Sequence, residues 1–323
     1  MTALDLGAKI YVAGHRGLVG SALMRRFAAD GANDLVVRTR EELDLTQQDA
    51  VDRFFEAERP DYVFLAAAKV GGIHANDTYP ADFIRDNLAI QTNVIHSAWR
   101  HGAKKLLFLG SSCIYPRDCP QPIKEDYLLT GPLEPTNQWY AIAKIAGLKL
   151  CQAYRKQHGF DAITVMPTNL YGPGDNFDPL NSHVVPALIR RFAEAREQGD
   201  SGVTIWGTGT PLREFLYVDD LADALVFLMR RDDVPDLVNV GSGEELSIAE
   251  LARLIADIVG YRGALRFDPG KPDGTPRKRL DNTLLADLGW RAGIGLEQGL
   301  RATWVHCRAQ WPELFGAPPA CPR

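Results

Sequence analysis

Through the first half of the chain, short apolar runs rich in β-branched and aromatic residues alternate with longer stretches whose apolar positions recur at helical spacing. Residues 10–13, 34–38, 62–66, 105–109 and 162–166 read as strands, and residues 21–29, 48–58, 87–100 and 140–157 as the helices between them. A strand without polar alternation is buried on both faces, and strand–helix alternation builds βαβ units around a parallel sheet. After Tyr171-Gly172-Pro173-Gly174 the regularity weakens: a helix is expected over 184–197, a short strand over 203–206 and a helix over 248–259. A further helix, 219–229, is apolar enough to return to the sheet. The pattern predicts an α/β fold, a Rossmann-type doubly wound parallel sheet over residues 1–170 rejoined by about 212–240. A smaller C-terminal α/β substrate lobe is expected within 171–323, interleaved in sequence with the first, and the proline-rich tail after Phe315 is expected to fray.

Composition removes some function classes. The 323 residues are 46% hydrophobic and 24% charged, as in an ordinary globular chain with ample core. A net charge of −5 argues against nucleic-acid binding, yet leaves room for an anionic small ligand held by local arginines. Cys113, Cys119, Cys151, Cys307 and Cys321 are odd in number and irregularly spaced, so reduced thiols are expected, with no metal site. No signal-peptide core precedes the first strand and no apolar run approaches bilayer length; a cytoplasmic protein without a membrane partner is expected.

The first strand runs into Gly14-His15-Arg16-Gly17-Leu18-Val19-Gly20, which opens a helix. Glycines at a strand-to-helix turn let the backbone approach a pyrophosphate, which then sits on the helix N-terminus. An NAD site places Asp or Glu about twenty residues further on to bind the ribose hydroxyls. Here the second strand ends in Arg38-Thr39-Arg40, with Arg16 in the glycine turn itself. A carboxylate would repel a 2′-phosphate whereas a guanidinium pairs with it through two hydrogen bonds, so NADP(H) is the expected cofactor.

Tyr140 and Lys144, four apart on a helix, share one face. The ammonium is expected to favour the phenolate, drawing a pKa of about 10 toward the working pH. Ser111, arriving from another segment, can hydrogen-bond the same substrate oxygen. Such a trio moves a proton at an alcohol or ketone oxygen while hydride moves at carbon. Tyr-x-x-x-Lys alone is a common packing pair; its company with the glycine turn gives it meaning.

The Gly-x-x-Gly-x-x-Gly spacing is similar to that of the short-chain dehydrogenase/reductase superfamily, and further segments sharpen the likeness. Ala67-Ala68-Lys69-Val70-Gly71-Gly72-Ile73, Gly110-Ser111-Ser112-Cys113-Ile114-Tyr115-Pro116 and Glu134-Pro135-Thr136-Asn137 lead to Tyr140. Met166-Pro167-Thr168-Asn169-Leu170-Tyr171-Gly172-Pro173, Asn181-Ser182-His183-Val184, Trp206-Gly207-Thr208-Gly209-Thr210-Pro211 and Lys271-Pro272-Asp273-Gly274-Thr275-Pro276-Arg277-Lys278 follow. In order and completeness these resemble the GDP-L-fucose synthase family of GDP-4-keto-6-deoxymannose epimerase-reductases.

The resemblance implies C3/C5 epimerisation of the keto sugar followed by reduction at C4 with NADPH. Ser111 and Tyr140 would hold the C4 oxygen, and Lys144 would tune Tyr140 and bond the nicotinamide ribose. Cys113 and His183 would serve as base and acid, in an order the sequence leaves open; both types titrate near enough to neutrality to exchange protons. By the same resemblance Asp44 and Leu45 contact the adenine edge and Ala66-Ala67-Ala68 pack against the cofactor. Leu109, Gly110, Ser111, Ser112, Lys144, Pro167, Thr168, Asn169, Leu170 and His183 complete its site. Arg191, Trp206, Arg213 and Asp273 would bind the GDP-sugar, with neighbouring Arg190 open to confusion with Arg191, and the family implies a homodimer.

Other readings of the fold fit less well. The 4,6-dehydratases carry Thr-Asp-Glu where this chain has Ser111-Ser112-Cys113, and UDP-sugar 4-epimerases hold NAD, which Arg38 and Arg40 disfavour. Cys113 and His183 speak against a GDP-sugar 4-reductase without epimerase activity. The intact Tyr140–Lys144 pair speaks against an NADP-sensing regulator.

Overall fold

The computed structural model describes residues 4–179, 182–271 and 273–311, without the side chains of residues 73 and 74. The tail after Phe315 lies outside the described residues, as do Cys321 and two of the motif positions, Asn181 and Pro272. The first half runs β1 (Ile10–Ala13), α1 (Leu18–Asp30), β2 (Leu35–Val36), α2 (Gln48–Glu58), β3 (Tyr62–Leu65), α3 (Ile73–Thr78), α4 (Pro80–Arg100), β4 (Lys105–Leu109), α5 (Gln138–His158) and β5 (Asp161–Pro167). The second continues with β6 (Asn169–Tyr171), α6 (Val184–Gln198), β7 (Gly202–Trp206), β8 (Leu212–Tyr217), α7 (Val218–Met229) and β9 (Leu237–Val240). It ends with β10 (Glu245–Ser247), α8 (Ile248–Val259), β11 (Ala264–Asp268), β12 (Arg277–Lys278), α9 (Thr283–Asp287) and α10 (Leu296–Ala309).

Six parallel strands form the central sheet in the order β2-β1-β3-β4-β5-β9. The strand period of two splits their side chains between two cores. Ile10, Val12, Tyr62 and Phe64 pack with α1 and α7 on one face; Tyr11, Ala13, Val63 and Leu65 pack with α2, α4 and α5 on the other. Lys105, buried at the start of β4, donates to the carbonyls of Leu228 (3.2 Å) and Arg231, capping the end of α7 and fixing that helix to the sheet. A separate core gathers α6, α8 and α10 against β7 and β8.

The expected strand over 34–38 narrows to β2, an edge strand paired with β1 alone. The helix expected from residue 87 begins at Pro80, where the missing N–H of proline costs no helical hydrogen bond. Among the described residues no helix is long and apolar enough to cross a membrane.

Candidate active site

The strand order turns between β1 and β3, and the crevice at such a switch point is where open α/β sheets bind ligands. The glycine turn fills it closely. A Cβ at Gly14 (φ 86°) would lie 2.8 Å from the Ala67 Cα, and one at Gly20 2.0 Å from the Gly14 carbonyl oxygen. Gly17 caps α1 without a side-chain hydrogen bond, leaving the first N–H groups of Leu18 and Val19 to a bound anion. The buried Nδ1 of His15 has no partner. Asn87 clamps the chain after Ala66-Ala67-Ala68, accepting from the Lys69 N–H (2.9 Å) and donating to its carbonyl (3.0 Å).

The three arginines divide. Arg38 is committed to Glu58 (2.6 Å) and the Val37 carbonyl (2.8 Å), with its guanidinium 5.5 Å from the Phe54 ring centre. Arg16 and Arg40 are exposed. Arg16 acts electrostatically on Glu41 and Glu42, and Arg40 on Asp44, so the glycine turn and the end of β2 converge. Glycines at close approach, an open helix N-terminus and convergent guanidinium groups fit a dinucleotide bearing a 2′-phosphate. One Asp44 oxygen accepts from the Thr46 N–H (3.0 Å) and hydroxyl (2.8 Å), bonds that hold its carboxyl below the usual range. The Leu45 carbonyl accepts from Asn93 (2.9 Å). Across the sheet, a Cβ at Gly110 would strike the Met166 sulfur at 2.4 Å, and Ser112 is buried. Pro167 ends β5; Thr168 bonds the Val240 (3.0 Å) and Glu214 (3.2 Å) carbonyls, and Asn169 the Glu214 carbonyl (2.8 Å), before Leu170 in β6.

Beyond β4, Ser111 caps a short 3₁₀ turn, its hydroxyl accepting from the Cys113 N–H (3.2 Å). The same hydroxyl lies close enough to Tyr140 and to the Cys113 thiol to favour the ionised form of each. Lys278 reaches the thiol sulfur at 3.3 Å. Burial alone would push the Cys113 thiol up; the Lys278 ammonium, the Ser111 hydroxyl and Arg213 together outweigh it and hold the thiol below its ordinary value.

Tyr140 departs from the phenolate expected of it. Burial, with the nearby Cys113 thiolate, raises its pKa, and the Ser111 hydrogen bond does not reverse this. Lys144 shares its helix face but points past the phenol: its ammonium donates to the Leu109 carbonyl (2.7 Å) and lies 4.7 Å from the Phe108 ring centre. It stands 5.8 Å from the centre of the Tyr140 ring, and burial pulls it down to about 7. Tyr140 therefore holds its proton. Phe83 meets the tyrosine ring edge-on, with centroids 6.5 Å apart. His183 caps α6 from the second lobe, open to solvent yet walled by protein; burial and then the Lys278 charge lower its pKa, leaving a neutral imidazole.

At the cleft mouth, Trp206 ends β7 as a residue 61% exposed, its ring between Arg191 (5.8 Å to the ring centre) and Lys271 (5.3 Å). Arg190 turns away to Glu194 (2.7 Å) and the Phe177 carbonyl (3.0 Å), so Arg191 is the one at this mouth. Arg213 donates to the Leu212 carbonyl (2.8 Å) and the Asp273 carbonyl (3.5 Å). Both Asp273 carboxylate oxygens accept from Thr208, from its N–H (2.7 Å) and hydroxyl (2.8 Å), pinning the turn that presents Trp206.

Two residues escaped the sequence reading. Lys278 comes beside the thiol because β12 pairs with β8 in parallel, setting Lys278 opposite Arg213. Glu214, fully buried in β8, accepts from the N–H groups of Gly243 (2.7 Å) and Leu280 (2.9 Å) and from the Asn282 amide (3.2 Å). Those bonds satisfy its carboxylate and tie the strand carrying Lys278 into place. Lys278 closes a quoted motif, but no local spacing links it to Cys113.

The model of the NAD dependent epimerase/dehydratase family matches residues 10–241. GDP-L-fucose synthase 1 of Arabidopsis thaliana is 64% identical over 300 residues, 93% of each chain. GDP-L-fucose synthase of Escherichia coli (strain K12) is 56% identical over 305 residues, 92% of this chain and 95% of that one. The crystal structure of a GDP-L-fucose synthetase from Naegleria fowleri bound to NADP superposes with a TM-score of 0.88 at 29% identity, covering 96% of both chains.

Proposed function

From the premise that the chain belongs to the NAD dependent epimerase/dehydratase family and, within it, to the GDP-L-fucose synthases, we infer that it converts GDP-4-keto-6-deoxy-D-mannose to GDP-L-fucose with NADPH. The observation that carries the reading is the Lys278 ammonium 3.3 Å from the Cys113 sulfur, where it lowers the thiol pKa, with the Ser111 hydroxyl acting on both Cys113 and Tyr140. A base and a hydroxyl pair for an oxyanion thus stand side by side.

The C4 ketone acidifies the hydrogens on C3 and C5. The Cys113 thiolate removes one, releases that proton to solvent and then removes the other, while the charge developing on the C4 oxygen is met each time by the Ser111 and Tyr140 hydroxyls. His183, reaching in from the second lobe, returns the proton on the opposite face. The neutral His183 takes a proton from solvent before it acts, its lowered pKa makes the resulting imidazolium a strong donor, and the Lys278 charge beside the thiol supports Cys113 as the base. NADPH supplies the hydride that reduces C4. Tyr140, which keeps its proton, delivers it to the C4 oxygen. Lys144, held by the Leu109 carbonyl, is set to bond the nicotinamide ribose. Arg16 and Arg40 take the 2′-phosphate, with Arg38 held in reserve by Glu58. Arg191 and Arg213 take the sugar-nucleotide diphosphate, Trp206 offers a stacking face, and Asp273 holds the turn beneath it.

In this account residues 1–170 with about 212–240 hold the cofactor and 171–323 the GDP-sugar. The protein works as a cytoplasmic homodimer through α4 and α5, where Trp139 and Ile142 stand exposed on α5. The test is NADPH consumption by pure protein given GDP-4-keto-6-deoxy-D-mannose. Turnover is expected; none at any pH would reject the reading.

A further inference from the structure

Beside Cys113 and Lys278 lies a small open cavity whose lining is mostly polar and charged. Most of its polar walls are committed. Arg117 pairs with Glu134 (3.4 Å), Arg277 with Glu245, and Gln121 accepts from the Arg279 N–H (2.9 Å). Asn137 differs. It stands at the N-cap of α5, where asparagine ordinarily accepts a hydrogen bond from the first turn, yet its side chain makes none. Its Oδ1 is buried and has no partner. A buried acceptor left without a donor is destabilising, and a polar cavity wall that foregoes a cap is arranged for a donor that arrives with a ligand.

We propose that Asn137 is a substrate-binding residue whose side-chain oxygen accepts a hydrogen bond from a hydroxyl of the hexose ring. The inference rests on the reading of the site above. A 4-keto-6-deoxyhexose joined to GDP through C1 has free hydroxyls at C2 and C3 only, so the donor is one of these two. Asn137 opens the helix that carries Tyr140 one turn later, and Cys113 lines the same cavity. A hydroxyl held by Asn137 therefore fixes how the ring presents its reacting carbons to the thiolate.

The experiment compares wild type and Asn137→Ala on the full substrate and on its 2-deoxy and 3-deoxy analogues, with NADPH binding and thermal unfolding as controls. In Asn137→Ala, kcat/KM for the full substrate falls roughly ten- to a hundredfold. One deoxy analogue loses a similar factor with wild type and nothing further with the variant, naming the hydroxyl. NADPH affinity stays at its wild-type value and the melting temperature does not fall, because the side chain makes no cap. A variant with wild-type kcat/KM, or one that loses the same factor on both analogues as on the full substrate, would overturn the proposal. Wild type that fails on the full substrate would instead reject the parent reading.

Discussion

Replacing Lys278 with Met removes the cation 3.3 Å from the Cys113 sulfur while keeping an unbranched chain of similar length. At that separation two unit charges attract by about 5 kcal/mol at an effective dielectric near 20, and partial desolvation reduces the net effect. A hydrogen bond to a charged group is worth about 1.5–3 kcal/mol net, and one pKa unit corresponds to roughly 1.4 kcal/mol. The Cys113 pKa should therefore rise in Lys278→Met, because burial then acts with less opposition. The direction is fixed by the chemistry: a cation favours the thiolate, so its loss shifts deprotonation to higher pH. The assay is the pH dependence of Cys113 alkylation, read by peptide mass spectrometry, beside the pH dependence of deuterium uptake at C3 and C5. At neutral pH both should slow about ten- to a hundredfold and recover as pH is raised. Lys278→Arg, which keeps the charge, should retain most of the wild-type profile. An unshifted alkylation midpoint in Lys278→Met, or a loss of exchange equal at every pH, would refute the assignment of Lys278 as the group that ionises the thiol.

Arg40→Ala should raise the NADPH requirement roughly ten- to a hundredfold while leaving that for NADH nearly unchanged; equal losses with both would remove Arg40 from the 2′-phosphate site. Arg38→Ala, which breaks the Glu58 pair, should alter that ratio far less, as steady-state kinetics with both cofactors will show. Gly20→Ala places a methyl 2.0 Å from the Gly14 carbonyl; it should cost about 1–3 kcal/mol of stability and abolish cofactor binding, and a variant that melts and binds NADPH as wild type does would contradict the close approach. Cys113→Ser should nearly stop deuterium exchange yet allow slow reduction to a 6-deoxy sugar with D configuration at C5, whereas Tyr140→Phe should lose reduction far more than exchange, by NMR of the products.

The first five strands were legible because each centres on a short run of β-branched, leucine or aromatic residues, and all but the third stop at a glycine, a proline or a charged residue. β9 was not: Leu237–Val240 is four residues long, its Asn239 is polar, and only pairing with β5 makes it a strand. The site was legible wherever its residues lie within one turn or helix, as in the glycine turn and the Tyr140–Lys144 pair. What the spacing could not convey is where a flexible side chain ends. Lys144 shares a face with Tyr140, but a carbonyl and an aromatic ring at the end of β4 draw its ammonium away, and burial then decides the state of the phenol. Lys278 lies far from Cys113 along the chain and meets it only through a two-residue strand held by the buried carboxylate of Glu214. Such contacts belong to tertiary structure and leave no period in the sequence.

Inversion at C3 and C5 and reduction at C4 share one site in this enzyme. This is tested most directly by incubating the protein with GDP-4-keto-6-deoxy-D-mannose and NADPH in heavy water and reading the product by NMR. GDP-L-fucose carrying deuterium at C3 and C5 is the expected product. A 6-deoxy product that keeps the D configuration at C5, with hydrogen at both carbons, would contradict this and leave only a ketone reductase.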